Sequence, residues 1–378
     1  MEPLERRCLL SGFTTLYDFT GGAADGGKPG AIISDSNGNL YGATLQGGNS
    51  GSGTVFEFVN STNTLATLAQ LPRGADVAIS YVAVDSSGNV FAVDAGSGAN
   101  GAIDEVVKGG NQITALASFN GTNGTTPDSL ILDGAGDLFG TTEIGGSGNN
   151  GTIFELLKGG NTITSLYSFP SYYGALASDD ARPASLILDG SGNIFGWTDL
   201  GGANDFGTLF KLNIASKTFT PLASFNGTTG GPGDFNGARY SGEGLLLDSS
   251  GNLFGAVAGG NGSIFEVAKG TNTLTTVASF NGTNGGGPSA LIIDSHGNLF
   301  GTTLHGGASN YGTIFEIAHG TNTIRTLYSF TNGLDGSIPY SLAFDSQGNL
   351  LGSAYAGGLN QNGGNQGTLF RRGVCRRR

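Results

Sequence analysis

Charged side chains that could act as acids, bases or hydrogen-bond partners are more frequent in two segments than in the rest of this 378-residue chain. The first segment, residues 170–183, reads PSYYGALASDDARP, and the second, residues 230–244, reads GGPGDFNGARYSGEG. Charged residues are scarce elsewhere, because Asp, Glu, Lys and Arg together make up 12% of the sequence. We therefore take six polar residues of the two segments as the candidate ligand-binding residues: Asp179, Asp180, Arg182, Arg239, Tyr240 and Glu243.

Two kinds of chemistry are open to these side chains. In a binding site, the carboxylates and guanidinium groups would hydrogen-bond a polar ligand without changing it. In a carbohydrate-active hydrolase or lyase, Glu243 or Asp180 would act as general acid or base, and Tyr240 as nucleophile or proton donor. Arg182 and Arg239 would then hold an acidic sugar. The enzymatic alternative requires the carboxyl groups of Asp180 and Glu243 to lie within about 10 Å of each other across one concavity.

The remaining chemistry-bearing residues predict no metal site and no cofactor. The histidines, His296, His305 and His319, fall in a turn, a loop and a second turn of one repeat, and the sequence contains no H-x-x-x-H or C-x-x-C pattern. Glycine-rich segments are not followed by a helix, as a phosphate-binding loop requires. We therefore name no catalytic residue outside the enzymatic alternative.

The elements that must position the two segments are copies of one unit, which is clearest at residues 290–330. This stretch contains four short β-type runs, LIID, NLFGTT, GTIFEI and TIRTLYSF, each bounded by Gly, Asn or Asp. An aspartate ends the first run of every copy, where its carboxylate can accept backbone hydrogen bonds in a tight turn. It recurs as Asp35, Asp85, Asp133, Asp189, Asp248, Asp294 and Asp345. Four antiparallel strands in about 50 residues are typical of one propeller blade.

The ends of the chain predict how these copies close into a ring. The last copy stops after its third run, near Arg371, whereas the run from Thr14 to Phe19 precedes the first copy. If this N-terminal run is the fourth strand of the last blade, no sheet edge is left unpaired. We therefore predict an all-β fold, a seven-bladed β-propeller with four antiparallel strands per blade, closed by the N-terminal strand. It is expected to span residues 13–372, between an N-terminal arm (1–12) and a basic tail (373–378).

The two enlarged segments connect successive blades and flank the fourth, so their charged residues are expected to converge on one face. The formal net charge of −12 argues against nucleic acid as a partner. No apolar run approaches the roughly 20 residues needed for a membrane-spanning helix. We therefore expect a monomer that binds an unidentified surface ligand, either a glycan or a protein.

Two stretches resemble known families. The N-terminal MEPLERRCLLSG resembles the LEPR-x-LL-type motif near the N-termini of surface or exported proteins of planctomycete-like bacteria. The likeness is carried by Leu4, Glu5, Arg7, Leu9, Leu10 and Ser11. From Phe13 onward, the units DSSGNLFG, GTIFE and SFNGTNGGGP are similar to the GloVer tandem repeat of Gloeobacter and Verrucomicrobia. That resemblance covers nearly the whole chain, and it implies an exported, anchored repeat protein with no established reaction and no catalytic residues.

Residues and resemblance together predict an exported, non-catalytic propeller that is extracellular or on the surface of a bacterial cell. There it would serve in binding, adhesion or structure, and the carbohydrate-active hydrolase or lyase remains the alternative. Family members commonly end in a sorting segment, whereas this chain ends in RRGVCRRR, so the mode of attachment stays open.

The two cysteines are expected to meet at the closure of the ring. Alignment of both ends with the sixth copy places Cys375 at the position of Gly320 and Cys8 at the position of His319. These are adjacent positions of one turn, within the Cα separation that a disulfide requires. In an oxidising compartment, a bond between Cys8 and Cys375 would close the ring covalently.

Overall fold

The computed structural model describes residues 12–71, 81–95, 100–170, 181–226, 244–257, 259–358 and 365–374, apart from the side chain of residue 181. The 28 strands found within these ranges form seven antiparallel sheets of four strands each. In the same ranges, no helix is long and apolar enough to cross a membrane. The fold is therefore the predicted seven-bladed β-propeller.

Six blades are meanders of strands that are consecutive in the chain, and the seventh combines strands from both ends. The chain begins with β1 (Phe13–Asp18). Blades one and two contain β2 (Gly27–Ser34), β3 (Leu40–Gln46), β4 (Thr54–Val59), β5 (Thr64–Gln70), β6 (Val82–Val84), β7 (Val90–Asp94), β8 (Ala102–Val106) and β9 (Thr114–Ser118). Blades three and four contain β10 (Thr125–Leu132), β11 (Leu138–Ile144), β12 (Thr152–Leu156), β13 (Thr164–Ser168), β14 (Ala181–Leu188), β15 (Asn193–Leu200), β16 (Thr208–Asn213) and β17 (Thr218–Ser224).

The remaining blades follow the same order. Blades five and six contain β18 (Leu245–Leu247), β19 (Leu253–Val257), β20 (Ser263–Val267), β21 (Leu274–Ser279), β22 (Gly286–Ile293), β23 (Leu299–His305), β24 (Thr313–Ile317) and β25 (Ile324–Ser329). Blade seven contains β26 (Ser337–Phe344), β27 (Leu350–Ala356) and β28 (Thr368–Arg372), and β1 pairs with β28 as its fourth strand.

The pairing of β1 with β28 confirms the predicted closure. The two strands are antiparallel, Phe13 lies opposite Arg372, and a bulge follows Thr15. The third and fourth strands of the other blades have a bulge at the same place, as between Ile153 and Phe154 in blade three. β1 therefore has the geometry of an ordinary fourth strand, although it comes from the opposite end of the chain.

The first strands of the blades surround the centre of the ring. β2, β6, β10, β14, β18, β22 and β26 contact one another in a closed circle. Because each blade is an antiparallel meander, its loops alternate between two faces. We call the face with the blade-to-blade loops and the loops between second and third strands the upper face. The lower face carries the turns between first and second strands and between third and fourth strands.

The packing between blades depends on a phenylalanine in the third strand and a glycine in the second. Phe154 is fully buried and its neighbour in the ladder is Gly140. A Cβ atom at Gly140 would lie 2.4 Å from Cζ of Phe154, closer than real contacts allow. In blade two, Asp104 replaces the phenylalanine and Ala92, directly opposite, replaces the glycine. Because the phenylalanine and the glycine are replaced together in this blade, we infer that the glycine of the other blades makes room for the phenylalanine ring.

The turn aspartates have the predicted hydrogen bonds. In blade one, Oδ1 of Asp35 accepts a hydrogen bond from the Asn39 N–H at 2.9 Å, and Oδ2 accepts one from the Asn39 side-chain amide at 3.0 Å. Oδ1 of Asn39 accepts the N–H of Asn60 at 3.1 Å, which joins the two lower turns of the blade. Blade three differs, because Asp137 occupies the asparagine position and faces Asp133 with a second carboxylate.

Candidate functional site

Arg182 is the one predicted ligand-binding residue within the described part of the chain. The other residues predicted to bind a ligand or form a disulfide lie outside it: Asp179, Asp180, Arg239, Tyr240, Glu243, Cys8 and Cys375. The convergence of the two enlarged segments and the bond between the cysteines therefore stay predictions. Arg182 is the point from which a candidate site can be built.

Arg182 is the second residue of β14, at the upper end of the innermost strand of blade four. Its φ is 59°, and its N–H donates a hydrogen bond to the Asn150 carbonyl of blade three at 3.2 Å. Lys28 has the same positive φ before a strand proline, and its N–H donates to Gln366 of the preceding blade. The contact between blades thus fixes the backbone, while the Arg182 side chain is exposed.

Asp199 lies on the adjacent strand, one residue before the end of β15. The pKa of its carboxyl is raised to about 6, mainly by burial and also by the charge of Asp128, while the charge of Arg182 opposes both. Among the described residues, the buried Oδ1 of Asp199 has no hydrogen-bond partner. A buried oxygen without a partner costs about 1–3 kcal/mol, so a ligand group that donates a hydrogen bond to it would be favoured.

Asp128 on β10, the innermost strand of blade three, is the third member of this group. We call Asp128, Arg182 and Asp199 the upper-rim cluster. The position of Asp128 is occupied in other blades by Gly30, Ala184, Ser289 and Tyr340, and that of Asp199 by Leu45, Glu143, Leu304 and Tyr355. The sequence analysis missed both aspartates, although comparison of the copies position by position would have found them. The signal is an acidic residue at a position that is uncharged in most of these other copies.

Other buried carboxylates near the blade-to-blade loops already have hydrogen-bond partners. Asp335 accepts hydrogen bonds from the Tyr328 hydroxyl at 3.1 Å, from both the N–H and the hydroxyl of Thr331 at 2.7 Å, and from the Gly333 N–H at 3.1 Å. Burial, together with the Asp335 charge, raises the pKa of Tyr328 to about 12. Asp25 is hydrogen-bonded in the same way in the next loop. These carboxylates order the loops and differ from Asp199 in having no unpaired buried oxygen.

The upper-rim cluster combines a guanidinium donor with two carboxyl groups, one of which, that of Asp199, has a raised pKa. With a pKa near 6, the Asp199 carboxyl can donate or accept a hydrogen bond at mildly acidic to neutral pH. Such a set of groups is suited to hydroxyl-rich ligands, since each hydroxyl is both donor and acceptor. Among the residues that the structure describes, no group of three or more His, Cys, Asp or Glu side chains could hold a metal ion.

Comparison with known proteins gives a family and several related folds. A family model described as the Gloeobacter/Verrucomicrobia repeat matches residues 78–234 and 177–370. No curated protein matches the sequence. Two solved structures, described as the extracellular domain of a one-component or hybrid two-component system from B. thetaiotaomicron, are 16% identical to this chain, with TM-scores of 0.58 and 0.60. They cover 96% and 95% of this chain, which spans only 41% and 42% of theirs.

A third structure has the same fold over its whole length. It is an oligogalacturonate lyase from Vibrio parahaemolyticus, 10% identical, with a TM-score of 0.59 and coverage of 96% of this chain and 93% of the lyase. At such identities, the likeness shows a shared propeller fold and carries no function with it.

Proposed function

Because the chain belongs to the Gloeobacter/Verrucomicrobia repeat family, we propose that it is an exported, non-catalytic propeller that binds a ligand at a bacterial cell surface. The observation that carries the proposal is the upper-rim cluster, where an arginine and two aspartates, one of them with an unpaired buried oxygen, come together on a rigid repeat. Loops and strand ends on a rigid scaffold are where binding sites are usually built. The likeness in fold to extracellular bacterial domains supports the proposed location.

The ligand class that best fits the cluster is a glycan. The unpaired Oδ1 of Asp199 would accept a hydrogen bond from a sugar hydroxyl, and the exposed Arg182 would donate to neighbouring oxygens. A negatively charged chain with formal net charge −12 also favours a neutral or cationic partner over a polyanion. Binding through one cluster of this size is expected to be weak, with dissociation constants on the order of micromolar to millimolar.

A glycan array probed with the purified chain tests the proposal. Binding to its best glycan should weaken at least tenfold in Asp199→Asn, which exchanges a charged acceptor for a neutral amide, and in Arg182→Ala, which removes the guanidinium donor. Asp137→Asn is the matched control, since it removes one negative charge from a lower-face turn and leaves the cluster intact. The proposal is wrong if no glycan binds, or if Asp199→Asn and Asp137→Asn bind equally well.

A carbohydrate-active hydrolase or lyase is the second candidate. One observation favours it: the Asp199 carboxyl, with a pKa of about 6 close to Arg182, could transfer a proton near neutral pH. Asp180 or Glu243 would then serve as a further acid or base, and Arg239 would help to hold an acidic sugar. Mass analysis of the bound glycans after incubation separates the candidates, because shortened or unsaturated products indicate an enzyme and intact glycans a binding module.

A further inference from the structure

A groove of about 510 Å³ lies on the lower face between blades four and five. Its floor is apolar and comes from both blades: Phe195 and Leu222 from blade four, and Leu247, Leu253 and Val267 from blade five. The groove is on the face opposite the upper-rim cluster, so a ligand bound here would not depend on the function proposed for that cluster.

Blade five contributes less apolar filling to this groove than blade four contributes to the interface between blades three and four. Between blades three and four, Phe219 stacks on Tyr167 with ring centroids 4.4 Å apart, and Ile214 packs into the same apolar cluster. Phe139 of that interface is consequently only 2% exposed. In blade five, the positions of Ile214 and Phe219 are taken by Lys269 and Leu274. Phe195, the counterpart of Phe139, is therefore left only partly buried.

The charge in the groove also departs from the repeat. Lys211 occupies the position that is glutamate in five other blades: Glu57, Glu105, Glu155, Glu266 and Glu316. Its Nζ lies 5.9 Å from the ring centroid of Phe195, and Lys269 lines the groove from blade five. None of the ion pairs found among the described residues involves Lys211 or Lys269. Two ammonium groups thus border an apolar floor, and no carboxylate of the described residues lies within 4 Å of either, although Lys211 is near enough to help lower the pKa of Asp189.

The two aspartates that line the groove are engaged in hydrogen bonds within their own turns. Asp189 accepts hydrogen bonds from the N–H groups of Ser191 and Asn193 and from the Asn193 amide, at 2.6–3.0 Å. Asp248 accepts the equivalent three hydrogen bonds in its own turn. Both carboxylates are therefore held by their turns, as in every other blade, and the lysines are the groups still able to bind a ligand.

The adjacent groove, between blades five and six, is an internal comparison. It measures about 400 Å³ and is likewise built partly from apolar side chains, among them Phe254 and Leu299. There Glu266 stands at the position of Lys211, and His319 at the position of Lys269. The two neighbouring grooves therefore have volumes of about 510 and 400 Å³ and side chains of opposite charge at the same position.

We propose that the groove between blades four and five binds a small ring-shaped monocarboxylate. The apolar floor would contact one face of the ring, and Lys211 and Lys269 would hold the carboxylate. Acidic sugars and alicyclic or aromatic acids share this chemistry. The groove between blades five and six should reject the same ligands, because Glu266 would repel the carboxylate.

Titration with two carboxylates and their neutral analogues tests this inference. The probes are glucuronate against glucose and cyclohexanecarboxylate against cyclohexylmethanol, followed by ligand-observed NMR and calorimetry of the full chain. At least one carboxylate should bind with a dissociation constant of about 1 mM, at least tenfold more tightly than its neutral analogue. Binding of glucuronate alone identifies an acidic-sugar site, and binding of cyclohexanecarboxylate identifies a site for apolar acids. Absence of saturable binding, or equal binding of the neutral analogues, overturns the inference.

Variants locate the binding in this groove. Lys211→Glu introduces the residue of the sister blades and should abolish binding, and Lys211→Gln, which adds no negative charge, should weaken it at least fivefold. Lys158→Ala is the matched control, because Lys158 has the position of Lys269 in blade three. Glu266→Lys should create a second site and raise the stoichiometry from one to two. Unchanged affinity in both Lys211 variants, with the native circular dichroism retained, overturns the inference.

Discussion

Replacement of Phe13 by alanine tests whether β1 is an integral strand of blade seven. The Phe13 ring stacks on Tyr328 at a centroid distance of 4.0 Å with an interplanar angle of 9°. It also meets Phe330 edge-on at 5.5 Å and Phe370 at 5.4 Å. These contacts join β1 to both blade six and blade seven, so their loss should weaken the ring where its two ends meet.

The size of the effect follows from the area that Phe13 buries. Because the side chain is half-buried, we take about 100 Å² as its contribution, or about 2.5 kcal/mol at 25 cal/mol per Å². The favourable ring geometry adds about 0.5 kcal/mol or more. Phe13→Ala is therefore expected to lower the free energy of unfolding by about 3 kcal/mol, which corresponds to roughly a hundredfold change in the folding equilibrium.

Phe219→Ala is the matched control for this measurement. Phe219 begins a fourth strand in the same way, and its ring stacks on Tyr167 at 4.4 Å and meets Phe169 at 5.6 Å. Its strand, however, is joined to the preceding strand by a turn. Urea unfolding followed by fluorescence of the single tryptophan, the buried Trp197 of blade four, reports on the ring far from the closure.

Similar losses of about 3 kcal/mol in both variants would mean that β1 is as integral as an internal strand. If Phe13→Ala leaves the Trp197 transition unchanged while Phe219→Ala shifts it, β1 is peripheral and the reasoning is wrong. Hydrogen exchange of the β28 amides then decides whether β1 has detached, because a free β28 edge exchanges faster.

Three further predictions concern titration, a turn and the cysteines. The pKa of Asp199 is raised from 3.8 to about 6 in the folded chain. Because the folded chain therefore binds this proton more tightly than the unfolded chain does, the free energy of unfolding should fall as pH rises from 4 to 6. Asp199→Asn should remove this dependence, raising stability by at most about 3 kcal/mol at pH 7 and by little at pH 4, as measured by thermal unfolding. Asp137→Asn should stabilise the chain by about 0.5–1.5 kcal/mol in urea unfolding, because an amide donor to Asp133 replaces a like charge; a destabilised variant would contradict it. Peptide mapping of exported protein without reductant should find Cys8 linked to Cys375, and two free thiols would refute the bond.

The repeat made most of the fold predictable from the sequence. The turn aspartates marked every blade, and the run ending at Phe19 had the pattern of the fourth strand that the last copy lacked. Both signals are local patterns multiplied by repetition, so a single ambiguous strand could be assigned from its sister copies. The structure confirms this part, because β1 pairs with β28 as the fourth strand of blade seven.

The sites were less predictable, because they depend on which side chains meet between blades. Asp128 and Asp199 are 71 positions apart in the numbering and meet only because adjacent blades place strand ends together. Lys211 borders an open groove because the next blade has Lys269 and Leu274 at the positions of Ile214 and Phe219. The sequence prediction concentrated on long charged loops, where composition is informative, and overlooked single substitutions within strands.

The pairing of β1 with β28 also has a consequence for biosynthesis. Phe13 leaves the ribosome roughly 360 residues before its pairing partner Arg372 is made. At about 5–20 residues per second, β1 waits roughly 20–70 s before its pairing edge exists, while the intervening blades can form from local contacts. During that interval β1 has no strand to pair with, and blade seven is incomplete. A chaperone that shields β1 for this time would therefore determine how much of the protein closes into a ring rather than pairing with a neighbouring copy.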